Sequence, residues 1–434
     1  MRDDEVLKSA AEILAHRTPL LAPSELAAFV QSFLDRREQF LSICRQHGSP
    51  LYLIDARALR ERAAQFTAAF RAELPDVRVF YAVKSNNHPD IASILVRAGL
   101  GLDVSSGLEL ELALAAGASS IVFSGPAKSE AELQLAVRNR DRVTVLMDSF
   151  TELERLERAA AATGATVRTG VRLTTDERGL WRKFGIPLAE LPHFIEAAAA
   201  CAHVELRGLQ FHTSWNLDPT NHVAFIRRLG AALASLPAEQ RKLIEFIDIG
   251  GGFWPPQGEW LHETATPEGR LREAADSVSA LPLRHHKMAA APIETFAREI
   301  GQAVRELIFP HVRCTICAEP GRWMCSDAMH ILLTVMDRKG DDIAITDAGT
   351  NALGWERLES DYFPVINLSR PSLTERACYV LGSLCTPHDV WGYAYHGDDI
   401  QIGDVLLIPT QGAYTWSLRQ HFIKPLPKTV VLSR

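Results

Sequence analysis

A parallel strand covered by helices on both faces reads as an unbroken apolar run, because neither face meets water. From about residue 50 this chain carries eight such runs, at 77–84, 100–105, 120–125, 142–148, 166–173, 206–213, 245–250 and 313–319. Most are separated by Ala/Leu/Glu-rich stretches of helical periodicity, such as 107–116 and 151–162. Eight strand–helix units predict an α/β fold closed into a parallel (β/α)8 barrel, with an open doubly wound sheet as the alternative.

The rest of the 434 residues lies around that core. Residues 1–48 read as a helical N-terminal extension, with Leu26, Phe29, Val30 and Phe33 at helical spacing and Pro23-Ser24 as a start signal. The barrel is expected over 49–324, with an insertion at about 254–312. That insertion holds a Pro/Gly-rich stretch (Trp254-Pro255-Pro256-Gln257-Gly258), a basic patch (Arg284-His285-His286-Lys287) and a helix near 295–307. Long connections of this kind are functional lids or decoration. Beyond it, short alternating strands such as 330–335, 342–346 and 405–409 predict a β-rich C-terminal domain over 325–434.

Composition removes several partner classes. The net charge is −7 with both signs interspersed, so no basic face marks a nucleic-acid partner. No apolar run reaches membrane-spanning length, and the start Met1-Arg2-Asp3-Asp4-Glu5 lacks the features of a signal peptide. A cytoplasmic protein without a membrane partner is expected. The seven cysteines do not read as a disulfide framework. Cys314 and Cys317 form a C-x-x-C with no second pair, so no metal is expected.

Barrel enzymes carry their chemistry at the C-terminal ends of the strands, and the unusual residues fall there. Lys84 closes the first run; it is a desolvated nucleophilic amine or a solvated strand-end lysine. Gly250, Gly251 and Gly252 follow the seventh, as an anion cradle or a tight turn; the spacing fits neither a dinucleotide fingerprint nor a P-loop. Glu319-Pro320-Gly321-Arg322 ends the eighth, and a buried Glu beside an Arg needs partners. A protonated ring nitrogen and a phosphate supply them, or the two pair with one another. His212 ends the sixth, as a ring-stacking or a core histidine. Cys385, with His388 and Asp389 nearby, is a proton donor, a nucleophile or an inert thiol. Tyr414 is a phosphate ligand or plain core.

Seven motifs occur in one order: Tyr81-Ala82-Val83-Lys84, Lys183-Phe184-Gly185, Phe211-His212, Gly250-Gly251-Gly252-Phe253, Glu319-Pro320-Gly321-Arg322, Cys385 with Asp389, and Gly412-Ala413-Tyr414. That order resembles the fold-type III pyridoxal-phosphate (PLP) decarboxylases, the group of diaminopimelate, ornithine and arginine decarboxylases, from about residue 50 to the C-terminus. The resemblance implies a barrel of the alanine racemase type and pyridoxal 5′-phosphate as cofactor, held as a Schiff base on Lys84. It implies His212 stacked on the ring, Glu319 at the ring nitrogen, and Gly250, Gly251, Gly252, Arg322 and Tyr414 around the phosphate. It implies a homodimer with shared active sites, in which Cys385 crosses the interface and protonates Cα after carbon dioxide leaves. Lys84, Cys385 and His212 are the implied catalytic residues. Glu109 matches an acidic position near the cofactor, and Asp103, Arg172, Arg357, Thr386, Asp389 and Phe422 are implied to face substrate.

Three departures bear on substrate. Ser214 and Trp215 stand where the family has glycine then serine. Gly354-Trp355-Glu356-Arg357 replaces the segment that grips a distal carboxylate in the diaminopimelate enzymes. Thr386-Pro387 follows the cysteine where an acidic residue usually binds a distal amine, and a neutral pair cannot charge-pair with an ammonium. The Cys385-Thr386-Pro387-x-Asp389 form looks like branches acting on conjugated or carrier-tethered amino acids in secondary-metabolite or siderophore-like biosynthesis. The expected activity is PLP-dependent decarboxylation of an amino acid or amino-acid conjugate. A PLP-dependent racemase or epimerase, or a non-catalytic PLP-binding homologue, is the alternative.

Overall fold

A computed structural model describes residues 3–275, 284–354 and 360–432. The chain divides into two compact units. One comprises Ala56–Pro256 and Ala291–Cys325; the other comprises Met1–Asp55, Gln257–Ala290 and Ser326–Arg434.

The first unit is a closed all-parallel barrel of eight strands. These are β1 (Arg78–Ala82), β2 (Gly101–Val104), β3 (Ile121–Phe123), β4 (Val143–Met147), β5 (Val167–Leu173), β6 (Val204–Phe211), β7 (Phe246–Asp248) and β8 (Thr315–Ala318). Each pairs with its neighbours in sequence, and β8 closes the ring by pairing with both β7 and β1. All eight lie within the apolar runs of the sequence, apart from two extra residues at the start of β6.

Local sequence sets the return helices. Three of them begin after a serine whose side chain accepts an amide hydrogen from a glutamate three residues on: Ser106 from Glu109, Ser129 from Glu132 and Ser149 from Glu152. At Ser129 the glutamate also reaches back to the serine amide, completing a capping box. These caps satisfy helix amides that would otherwise be orphaned.

Register decides what fills the barrel. Phe80, Val122, Leu146, Phe246 and Cys317 share the inward face and pack as one apolar cluster. Gly170 and Gly208 make room for it: a Cβ on Gly208 would lie 2.1 Å from the Phe246 ring, and one on Gly170 would lie 2.7 Å from Leu146. Two residues further along most of the strands the same face turns polar, with Asp103, Ser124, Arg172, Gln210, Asp248 and Glu319 all buried.

The second unit is built on an eight-stranded sheet. Leu51–Asp55 lies inside it, antiparallel to Met329–Lys339 on one side and parallel to Lys428–Leu432 on the other. Helices Pro23–Leu34 and Arg37–His47 bury Leu26, Val30, Phe33, Phe40, Leu41 and Cys44 in one cluster with Leu51, Leu332, Ile366 and Leu407. Helices Pro23–Leu34 and Arg37–His47 are thus packed into the β-rich unit, not set apart as an extension. The expected insertion is likewise divided. Glu259–His262 and His285–Met288 pair antiparallel in the β-rich unit, whereas helix Ile293–Leu307 packs in the barrel unit against Ala56–Glu73 and Thr220–Ser235. Apolar periodicity shows that a helix has a buried face, but not which partner covers it.

Candidate active site

The polar layer of the barrel lies at the C-terminal ends of its strands. Lys84 sits in a single 3-10 turn, Val83–Ser85, directly after β1. Its Nζ lies 3.5 Å from Asp103 Oδ2, and a third of the side chain is exposed, against none of Asp103. Asp103 also accepts a hydrogen bond from the Ser124 hydroxyl. Burial and the nearby Glu319 charge push the Asp103 carboxyl up, and the Lys84 ammonium opposes them. Glu109 accepts the Ser105 amide at 2.7 Å, and burial raises its carboxyl to about 7.

His212 follows β6. Its Nδ1 accepts the Gly251 amide at 3.1 Å and lies 3.7 Å from Glu319 Oε2. Burial and the charges of Lys84 and Arg172 hold this imidazole well below its ordinary range, so the ring stays neutral. Glu319 Oε2 accepts Gln210 Nε2 at 3.4 Å, while its Oε1 is buried with no donor among the described residues. Burial raises Glu319, and Lys84 and Arg172 pull it back toward the ionised form. The Arg172 guanidinium lies 4.4 Å over the Phe184 ring, and the Gly185 amide bonds to Asp148 at 2.9 Å. The Lys183-Phe184-Gly185 motif therefore seats Arg172.

The glycine run after β7 is conformationally demanding. Gly250 and Gly252 have φ of +69° and +84°, and a Cβ on Gly251 would lie 2.4 Å from the Glu319 carbonyl oxygen. Only glycine brings the backbone this close. The Gly252 amide donates to no acceptor among the described residues. Arg322, at the start of helix Arg322–Cys325, holds its guanidinium 4.5 Å over Trp254.

These groups suit pyridoxal phosphate. Lys84 would offer an amine to its aldehyde, His212 a flat neutral ring, and Glu319 a buried acceptor. The Gly252 amide and the Arg322 guanidinium would suit its phosphate.

The other expected residues lie in the β-rich unit. Cys385 and Thr386 stand in the turn between Glu375–Leu381 and Val390–His396, with Cys385 exposed. Asp389 is buried in the same turn. One of its oxygens accepts the Thr350 amide and the other the Leu384 amide, both at 2.7 Å. Tyr414 has φ of +57°, and Phe422 is exposed. Arg357 lies outside the described residues. Among the described residues no group of His, Cys, Asp or Glu could hold a metal, and burial raises the Cys314 thiol to about 12. No described helix is long and apolar enough to cross a membrane.

Sequence reading passed over Ser124, Gln210 and Asp248. Each is a polar residue at or just beyond the end of an apolar strand, in phase with an inward-facing neighbour, and that alternation is the signal that could have found them.

Comparison with known proteins agrees with the geometry. Residues 59–326 match the family model described as pyridoxal-dependent decarboxylase, pyridoxal binding domain. The chain is 27% identical over 379 residues to a diaminopimelate decarboxylase of Bacteroides thetaiotaomicron, covering 84% of this chain and 90% of that one. It is 26% identical over 416 residues to an L-glutamyl-[BtrI acyl-carrier protein] decarboxylase of Niallia circulans, covering 90% of each. In fold it is similar to the crystal structure of Helicobacter pylori diaminopimelate decarboxylase complexed with L-lysine, with a TM-score of 0.73, 23% identity, and coverage of 91% of this chain and 94% of that one. With most of its barrel inside the family model and a site suited to the cofactor, the chain belongs to the pyridoxal-dependent decarboxylases, enzymes that act on amino acids through pyridoxal 5′-phosphate.

Proposed function

We propose that this enzyme decarboxylates an amino acid presented as part of a larger conjugate, in a biosynthetic route, and works as a homodimer. The observation that carries the substrate reading is the turn bearing Cys385. Thr386 is neutral, and its hydroxyl accepts the His388 amide at 3.4 Å. Asp389, the carboxylate of that turn, has both oxygens occupied by backbone amides. The turn therefore offers no free carboxylate to a distal ammonium, the group that free ornithine, lysine or diaminopimelate would present. The similarity to an enzyme named for a carrier-bound glutamyl group supports the same reading.

Each residue then has a task. Lys84 holds the cofactor covalently, and Asp103 and Glu109 set the charge around its amine. His212, kept neutral, covers the ring face without adding positive charge. Glu319 accepts a hydrogen bond from the protonated ring nitrogen. The glycine turn, Arg322 and Tyr414 bind the phosphate. When bound, the cofactor would supply an electron sink for the pair left on Cα by departure of carbon dioxide. Cys385 of a second copy delivers its thiol proton to Cα, and solvent reprotonates the thiolate. Arg172, Arg357 and Phe422 are proposed to contact substrate.

Carbon dioxide release from the PLP-loaded enzyme, measured over free and conjugated amino acids, tests the reading. Release from a conjugate with slow turnover of free diaminopimelate, lysine and ornithine is expected. Rapid turnover of one of those free amino acids would overturn it.

A further inference from the structure

Asp248, the last residue of β7, has no part in the scheme above. It is fully buried, and register places it beside Gln210 of β6 and Cys317 of β8, on the inward face. Glu319 stands two residues beyond Cys317, so it shares that face. Asp248 Oδ1 accepts the Gly250 amide at 2.9 Å. Its Oδ2 has no donor among the described residues, and neither has Glu319 Oε1. The negative charge of Glu319 bears directly on Asp248. Two ionised carboxylates buried on one face, each with an oxygen that no described group donates to, repel strongly, and one proton shared between them removes the conflict.

We propose that Asp248 is a positioning residue: it stands as a neutral acid and donates its proton to Glu319, which keeps the negative charge for the ring nitrogen. The surroundings decide which carboxyl carries the proton. Lys84 and Arg172 favour the charged form of Glu319. Around Asp248 the strongest charges are those of Glu319 and Asp103, both negative, with the Cys317 thiol adjoining. Burial and those charges drive Asp248 well above the usual carboxylate range. One residue thus ties the glycine turn, through the Gly250 amide, to the charge state of Glu319. The use of that charge rests on the proposed place of Glu319 at the ring nitrogen; the location of the proton does not.

Asn is close in shape to a protonated Asp and keeps both a donor and an acceptor. The holoenzyme with Asp248→Asn should bind PLP within about threefold of wild type, whereas Asp248→Ala should bind about tenfold or more weakly. The infrared difference between wild type and Asp248→Asn at neutral pH should show loss of a protonated-carboxyl C=O band. Loss of ionised-carboxylate bands instead, or equal weakening of PLP by Asn and Ala, would overturn the proposal. Should the Ala variant not fold, the infrared comparison decides alone. An unchanged visible cofactor spectrum in Glu319→Gln would instead overturn the ring-nitrogen reading and leave the proton assignment standing.

Discussion

At the scale of single residues, the site is a set of charges whose burial sets their protonation. Glu109 gives a measurable case. Its carboxyl rises from an ordinary 4.5 to about 7, mainly through burial. Between those values the folded protein holds a proton that the unfolded chain has released. Its contribution to stability is therefore complete below 4.5 and is lost as pH rises through about 7. Glu109→Gln, which has no proton to lose, should gain roughly 1–3 kcal/mol on wild type between pH 4.5 and 8 in urea unfolding. A gain of the same size already present at pH 4.5 would contradict this. Cys385 makes the second case. As the proposed proton donor, its change to Ala should lower kcat by about 10²–10⁴ while the visible spectrum of bound cofactor is unaltered. Sequence singled out Lys84, His212 and Glu319 because each puts a polar group at the end of an apolar run, and Cys385 because His388 and Asp389 stand nearby. It did not reveal that both oxygens of Asp389 hold backbone, since the amides that donate to them lie at Leu384 and, far off in sequence, at Thr350.

At the scale of elements, the barrel owes its form to side chains that alternate in size across the strands. Phe246 reaches over Gly170 and Gly208, placing an apolar floor under the polar layer. Gly208→Ala should destabilise the protein by about 1–3 kcal/mol, because the new methyl meets the Phe246 ring. Adding Phe246→Leu should recover part of that loss, a coupling readable from a double-mutant cycle of melting temperatures. Strictly additive effects would mean that ring and methyl do not meet. The strands were legible because short apolar runs, recurring between helical stretches, mark strands that are covered on both faces. The allegiance of the flanking helices was not. Pro23–Leu34 buries its apolar stripe in the sheet unit and Ile293–Leu307 buries its own in the barrel unit, yet both read simply as amphipathic.

At the scale of the whole molecule, the proposed chemistry needs Lys84 from one copy and Cys385 from another. Lys84→Ala and Cys385→Ala homodimers should each be nearly inactive. Mixed and allowed to exchange subunits, they should recover about a quarter of wild-type activity, since half the dimers then carry one intact site of two. No recovery, with exchange verified by mass, would place both residues in the site of a single subunit.

The strand Leu51–Asp55 has consequences for how the chain is made. One of its two neighbours is Met329–Lys339 and the other Lys428–Leu432. At ordinary synthesis speeds, roughly 20 to 75 s separate its emergence from the ribosome and that of its final partner. The barrel segments are translated within that interval, so the nascent chain carries an early strand with one hydrogen-bonding edge open until Lys428–Leu432 arrives. Chaperones that shield such edges should be needed most by this enzyme before its release, and little afterwards.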